Sequence, residues 1–478
     1  MIIKWGVTNF RSIREANLDL APLTIFTGVT GSGKSSFLDS IVMIAQSIDK
    51  EQITLNGNYI KLGNFKENYY NNDPLNTNTI KIDFESEKRI YDNDDHLCII
   101  SHKEGELEKA PYIQGVSSKI KPKENGDFNQ STEEEESSDR YDNIYIAEDE
   151  DIYNDEEIPQ EKSDFFSILL KCNSDKDDLL DVKVLEGQFD FNKNKPGEIE
   201  SFGLTYKERA KLLWDCFRSY FSPLNFRYLE PFRNPLKPLK QESDIEKEYV
   251  NSDGSNTFAV LFNWSNNKKV IDCRSPDDNC EMEYDNKKMY PFKDVLISWL
   301  KYFDLSDTFN VDQKEDKYNL SLYINSKPYD LPRLGTAVSQ VLPIFVMCLT
   351  APSNSTIVIQ EPEAHFHPKM QSHLADFFIA MALTGRQCII ETHSEYIIEQ
   401  LRYRIILKSE NKLKPLHKLT KLFFINKKDG VSHFNDIEIN EYAALDEWPE
   451  DFFDESHKIS RKIMKEAIRK RKAKKQND

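Results

Sequence analysis

Four short apolar runs punctuate this chain: Leu23–Phe26, Thr356–Ile359, Gln387–Ile390 and Lys421–Ile425. Their length and composition predict buried strands. Lys34–Ile48 follows the first run with neither Gly nor Pro and reads as a buried helix. Ala337–Leu349 and Met370–Leu383 read as helices between the later runs. Such alternation predicts a mixed α/β sheet. Residues 2–13 alternate as a strand and turn at 9–12, and Thr79–Phe84 and Leu97–Ile100 read as further strands. Leu62–Pro74 reads as an irregular loop, 204–221 as a helix, 226–236 as an extended element broken by prolines, and Lys293–Phe303 as an amphipathic helix. The first strand and the later three stand about 300 residues apart, so the middle is expected to be inserted into one fold. No heptad run long enough for an extended coiled coil and no internal repeat is found in the 478 residues.

Charge adds one exception to this pattern. The net charge is −18, but residues 132–157 alone carry thirteen acids against one arginine. The polar segment 121–163 is therefore expected to be a mostly disordered acidic insertion. The last 22 residues carry ten Lys/Arg against two acids, and 457–475 reads as a basic helix. The overall acidity thus does not exclude a nucleic-acid partner. Seven scattered cysteines without a CxxC pair argue against a zinc site or disulfide framework, and with a polar start they point to a cytoplasmic protein. No window is apolar enough for a membrane span.

The chemistry begins at Gly28–Ser35, GVTGSGKS, between the first apolar run and its helix. Glycines let the backbone wrap phosphates, and the helix N-terminus adds N–H groups and positive potential. Lys34 is placed to reach the β/γ-phosphates and the Ser35 hydroxyl to hold Mg²⁺. Gly28, Gly31, Ser32, Gly33 and Ser36 complete the candidate nucleotide contacts. The run TIVI leads into Gln360–Glu361–Pro362–Glu363, where Glu361 is the candidate base that activates water. The next buried run ends at Thr392–His393–Ser394, where His393 can bond a γ-phosphate. Before both lies a Gly-started helix with Gly335, Thr336 and Ser339 near its N-terminus. Taken singly, a Glu after a strand also reads as a surface cap and a lone His as structural. Their order makes the combined reading.

That order resembles the ABC-class ATPases, in the SMC/RecF/OLD-like branch. NFRSI (9–13), GVTGSGKS (28–35), EPEAHFHP (361–368) and ETHSEY (391–396) carry the resemblance. YLEPFRNP (228–235), GTAVSQVLP (335–343) and EWPEDFFDE (447–455) resemble a bacterial OLD-like subfamily with a C-terminal extension, similar to the ATPases of the Septu and PARIS antiphage systems. The implied fold is α/β, an ABC-type P-loop ATPase head with a mixed sheet, a large middle insertion and a helical C-terminal extension. The implied parts are 1–120 as the N-terminal half of the head, 121–163 as the acidic insertion, 164–330 as an inserted α/β subdomain, 331–430 as the C-terminal half of the head, and 431–478 as the extension.

The resemblance further implies ATP and Mg²⁺ as cofactors and a head-to-tail homodimer or higher oligomer. ATP would lie between one P-loop and the partner copy's Gly335 and Thr336, with Arg11 and Phe10 flanking base or phosphates. The family's metal-organising Asp stands here as Gln360, and Arg333–Leu334 replace the Ser expected before Gly335. Slow hydrolysis is expected, with nucleotide as a clamp or switch. Residues 400–478 hold no DxD pair, which argues against nuclease activity in this chain, and the resemblance implies a separate effector protein, a nuclease. The leading expectation is an ATPase sensor or scaffold of an antiphage complex. A DNA-repair ATPase of RecF type, touching DNA through the basic helix, and a non-hydrolysing interaction module are the alternatives.

Overall fold

The structure, a computed structural model, describes residues 1–47, 54–63, 68, 70, 79–86, 164–172, 180–186, 220–234, 248–265, 268–276, 282, 284–285, 287–314, 317–330, 336–408, 415–446, 449 and 455–477. The acidic stretch 121–163, the strand expected at Leu97–Ile100, most of the helix expected over 204–221, and Gly335 lie outside these residues.

The described elements, in order, are β1 (Ile2–Phe10), β2 (Ile13–Asp19), β3 (Leu23–Gly28), α1 (Lys34–Ala45), β4 (Thr79–Ser86), β5 (Asp164–Cys172), β6 (Leu180–Glu186) and β7 (Phe226–Leu229). Then come α2 (Thr257–Ser265), β8 (Lys269–Ile271), β9 (Met289–Pro291), α3 (Phe292–Tyr302), β10 (Thr308–Lys314), β11 (Lys317–Ile324) and β12 (Lys327–Asp330). The chain continues through α4 (Thr336–Thr350), β13 (Thr356–Gln360), α5 (Pro368–Leu383), β14 (Gln387–Glu391), α6 (Glu395–Lys408), β15 (Thr420–Lys428), β16 (Val431–Ile437) and α7 (Glu455–Asn477).

A six-stranded sheet ordered β16-β15-β3-β14-β13-β7 forms the centre. Its strands are parallel apart from β16, which pairs antiparallel with β15. Successive side chains of a strand point to opposite faces, and here both faces are covered. Ile25, Ile357, Ile359, Ile390 and Phe424 pack into one core, with α3, α4 and α5. Phe26, Val358, Ile389, Phe423 and Ile425, on the opposite face, join α1 and strands β1 and β2 in a second core. This two-sided burial is the reason these strands read as unbroken apolar runs.

The second core lies against a five-stranded antiparallel sheet ordered β2-β1-β4-β5-β6. Residues 164–330 therefore do not segregate as one inserted subdomain. β5 and β6 extend this antiparallel sheet, β7 edges the central one, and α2 and α3 pack on α4 in the first core. Among the described residues, only the meander β10-β11-β12 and the pair β8-β9 form sheets of their own. The head also runs past its expected end at 430, because β16 closes the central sheet. The expected basic helix over 457–475 is α7. Among the described helices, none is long and apolar enough to cross a membrane.

Candidate nucleotide site

Parallel pairing brings the carboxyl ends of β3, β14 and β13 to one edge of the central sheet. Such an edge is where open α/β sheets bind ligands. An open cleft of about 330 Å³ lies there. Thr30, Gly31, Gly33, Lys34, Ser35 and Ser36 line one side, and Glu361, Glu391 and His393 line the other. Arg11, Ser12 and Lys427 complete the wall.

The loop between β3 and α1 needs its glycines for two different reasons. Gly28 has φ 137°, and a Cβ there would lie 2.0 Å from the Ile425 carbonyl oxygen. Gly33 has φ 109°, and its Cβ would lie 2.1 Å from Ser432 Oγ. Gly33 is also the residue capping α1, with no side-chain cap and no acid in the first helical turn. The N–H groups that a Ser or Asp cap would satisfy are thus left for an anion. Lys34 is only 3 % exposed, and its Nζ donates to the carbonyls of Gly28 and Val29 at 3.1 and 3.0 Å. Burial lowers its pKa, opposed by Glu391, Glu361 and Glu363.

The acidic wall rests on strand register. Gln360 and Glu391 are cross-strand partners at the ends of β13 and β14. Glu391 Oε1 accepts from Ser35 Oγ at 2.8 Å. Its Oε2 is buried and has no partner. Burial raises the Glu391 pKa to about 7 against the pull of Ser35 and Lys34. Glu361 follows with φ 45° and donates its N–H to the Glu391 carbonyl at 2.9 Å, so the two strand ends are tied. Its Oε1 lies 3.9 Å from His393 Nε2, and both side chains are part-exposed in the cleft. Burial and Lys34 lower the His393 pKa, while Glu361 raises it. Glu363 holds this loop from behind, since its Oε1 accepts the His393 N–H at 2.6 Å.

Gln360 faces away from this wall. Its Oε1 accepts from Tyr228 Oη at 2.8 Å and its side chain also bonds Asp39. Asp39 in turn receives Arg11 Nη1 at 2.6 Å, and Arg11 Nε bonds Asn68 Oδ1 at 3.0 Å. Arg11 therefore reaches the cleft as a held side chain. Phe10 cannot flank a base, because it is fully buried in the second core. Gly28 and Ser32 lie behind the cleft surface, Ser32 at 1 % exposure. Thr336 is exposed and Ser339 half-buried on the first turns of α4, and neither lines this cleft.

Lys427, Ser12, Glu363 and Glu391 escaped the sequence reading. Lys427 arrives on β15, which pairs with β3, and Ser12 is tied to the β16 hairpin, where Ser432 N donates to Ser12 O at 2.8 Å. Glu363 carried a visible signal, the second carboxylate two places after Glu361. So did Glu391, which ends a five-residue run of the same form as the one ending at Gln360.

Residues 1–398 match the family model described as AAA ATPase domain. Residues 417–463 match a second model, described as a protein of unknown function, DUF3696. Comparison with curated proteins gives no match. Among solved structures, an Smc head bound to the C-winged helix domain of ScpA is 10 % identical with TM-score 0.45, covering 92 % of this chain and 98 % of its own. The SMC head domain from Thermotoga maritima is 9 % identical with TM-score 0.36, covering 92 % and 99 %. The Smc head domain from Pyrococcus furiosus with an extended coiled coil, bound to the C-terminal domain of ScpA, is 10 % identical with TM-score 0.40, covering 97 % and 99 %.

Proposed function

The chain belongs to the AAA ATPase domain family, and from that premise we propose an ATP-binding, slowly hydrolysing subunit that closes head to tail on nucleotide. One observation carries this reading: Lys34, Ser35, Glu361 and His393, drawn from three distant segments, line a single cleft. The triphosphate lies along the start of α1. The Lys34 ammonium exchanges the Gly28 and Val29 carbonyls for phosphate oxygens, which are stronger acceptors. Glu361 orients and deprotonates the attacking water, and His393 donates to the γ-phosphate. Bound Mg²⁺ neutralises phosphate charge, and Ser35 would hold it. The buried, unpartnered Glu391 Oε2 beside that hydroxyl suits a cation.

Thr336 and Ser339 lie off the cleft of their own chain, which supports a role toward a second copy's nucleotide. Slow turnover is supported by the neutral Gln360, whose amide is spent on Tyr228 and Asp39. In the wider reading the chain is the sensor or scaffold of a prokaryotic antiphage complex and restrains a separate effector nuclease. Its support is the motif set, including YLEPFRNP. Arg233 of that motif grips the Glu361 and Pro362 carbonyls at 3.1 and 3.5 Å. A second reading, DNA repair with direct DNA contact, is favoured by the exposed Arg461, Lys462, Lys465 and Arg469 of α7.

The test is purification with the products of neighbouring genes, with and without ATP. ATP is expected to enlarge the assembly and retain a second chain, and Lys34→Ala to prevent both. Absence of adenine-nucleotide affinity, or full biological activity of Lys34→Ala, sinks the reading. ATP-dependent DNA binding by the isolated chain, lost on deleting residues 458–475, would select the second reading.

A further inference from the structure

We infer that Glu391, at the end of β14, supplies the carboxylate of the Mg²⁺ site that position 360 lacks. This rests on the nucleotide reading above and deepens it. The argument starts from the missing charge. Mg²⁺ in a phosphate site uses one or two protein carboxylates beside the phosphates, and β13 ends in a neutral glutamine. That amide is committed elsewhere, to Tyr228 and Asp39, and it does not line the cleft. Parallel register puts Glu391 directly beside it on the neighbouring strand. The carboxylate has moved sideways by one strand.

Three features fit Glu391 to a cation. Its Oε1 stands 2.8 Å from Ser35 Oγ. Two neighbouring ligands of an octahedral Mg²⁺, each about 2.0–2.1 Å from the metal, stand about 2.9 Å apart. Hydroxyl and carboxylate are thus already at the spacing of one octahedral edge. Oε2 is buried without a partner, a costly state for a carboxylate oxygen that a cation removes. The side chain is also held rather than free to swing, because Oε1 accepts from Ser35 Oγ and the residue is 3 % exposed. Asp39 is the rival acid nearby, but it is paired to Arg11 at 2.6 Å and is not part of the cleft wall.

The experiment uses the full chain with Mn²⁺ as the metal and a non-hydrolysable ATP analogue. Bound Mn²⁺ is counted by electron paramagnetic resonance, and analogue affinity is measured separately in EDTA. Glu391→Gln is expected to weaken Mn²⁺ in the ternary complex at least tenfold, of the order seen for groups that tune metal sites. Its metal-free analogue affinity is expected not to fall, because the substitution removes a negative charge beside the phosphates. Gln360→Ala is expected to leave Mn²⁺ affinity within about twofold. Glu391→Asp keeps the charge but shortens the arm, and it is expected to fall between wild type and Glu391→Gln. It also serves if Glu391→Gln does not fold. Wild-type Mn²⁺ affinity in Glu391→Gln, or in Glu391→Asp should that be the folded variant, overturns the inference and leaves the nucleotide reading intact. So does a loss in Gln360→Ala as large as in Glu391→Gln. A wild-type chain that binds no analogue, with or without metal, overturns the reading beneath it instead.

Discussion

Arg233 and Gln340 hold each other reciprocally: Arg233 Nε donates to Gln340 Oε1 at 3.1 Å, and Gln340 Nε2 donates to the Arg233 carbonyl at 3.3 Å. Arg233 Nη2 reaches on to the Glu361 carbonyl. One guanidinium therefore joins the first turns of α4 to the residue proposed as the base. Burial lowers its pKa to about 10, so it stays charged at neutral pH. Arg233→Ala is expected to slow hydrolysis on the order of 10²-fold, the scale of a small misplacement of reacting groups. Nucleotide affinity should change little. Steady-state ATPase assays beside equilibrium binding check this; a loss of binding equal to the loss of rate would contradict it.

Glu361→Gln removes the proton acceptor but keeps the shape of the cleft. Hydrolysis is expected to fall about 10²–10⁴-fold, the range for one general base. Nucleotide binding should persist, and the ATP-bound assembly should outlive that of wild type. Light scattering with ATP added measures its lifetime.

Gly28 and Gly31 both adopt positive φ, yet their surroundings differ. A methyl at Gly28 meets the Ile425 backbone, whereas at Gly31 nothing lies within 4 Å. Gly28→Ala is expected to lower the melting temperature and abolish nucleotide binding. Gly31→Ala should lose only about 1–2 kcal/mol from its left-handed backbone. Equal melting points for the two variants would refute the distinction.

Asp376 and Arg404 form a buried pair, with Arg404 Nε and Nη2 at 2.6 and 3.0 Å from the two carboxylate oxygens. Tyr302 Oη and Gln400 Nε2 donate to the same carboxylate. Asp376→Ala leaves Arg404 charged in the core and is expected to cost about 3–5 kcal/mol. Replacing both partners by Leu and Met should recover most of that loss. Denaturant titration of the single and double variants checks both parts.

Cys273, Cys348 and Cys388 are free thiols in the first core. Burial raises Cys273 to about 11 and Cys388 to about 12, and drives Cys348 up as well. The reactive thiolate is thus scarce at pH 8. Peptides carrying these three residues should remain unmodified when native protein meets iodoacetamide, and become modified once it is unfolded. Mass spectrometry of the digest reads the outcome.

The parts of the fold that could be read from sequence were those with one physical cause. β3, β13, β14 and β15 are buried on both faces, so they appear as runs without alternation. Their order in the sheet was not legible. Lys427 and Ser12 were missed for that reason, since the pairing of β15 with β3 brings the first to the loop and the contact of the β16 hairpin with Ser12 brings the second. Phe10 was misplaced because it ends β1 with its side chain in the second core, whereas Arg11 stands in the turn that follows, at φ 51°. Glu391 was passed over because the reading of ETHS attended to its histidine. Two five-residue strands ending in Gln360 and Glu391 contained the clue, but using it requires knowing that they are neighbours in parallel register.

The same sheet order has a consequence for how the molecule is made. β3 lies between β14 and β15, so the amino-terminal loop lacks its full pair of flanking strands until the ribosome has translated beyond Lys428. At about 5–20 residues per second, that interval is roughly 20–80 s. Through it the nascent chain carries a phosphate-binding motif with no cleft to form. A copy terminated before Lys428 leaves β3 without β15 at its edge and lacks Lys427 in the cleft wall.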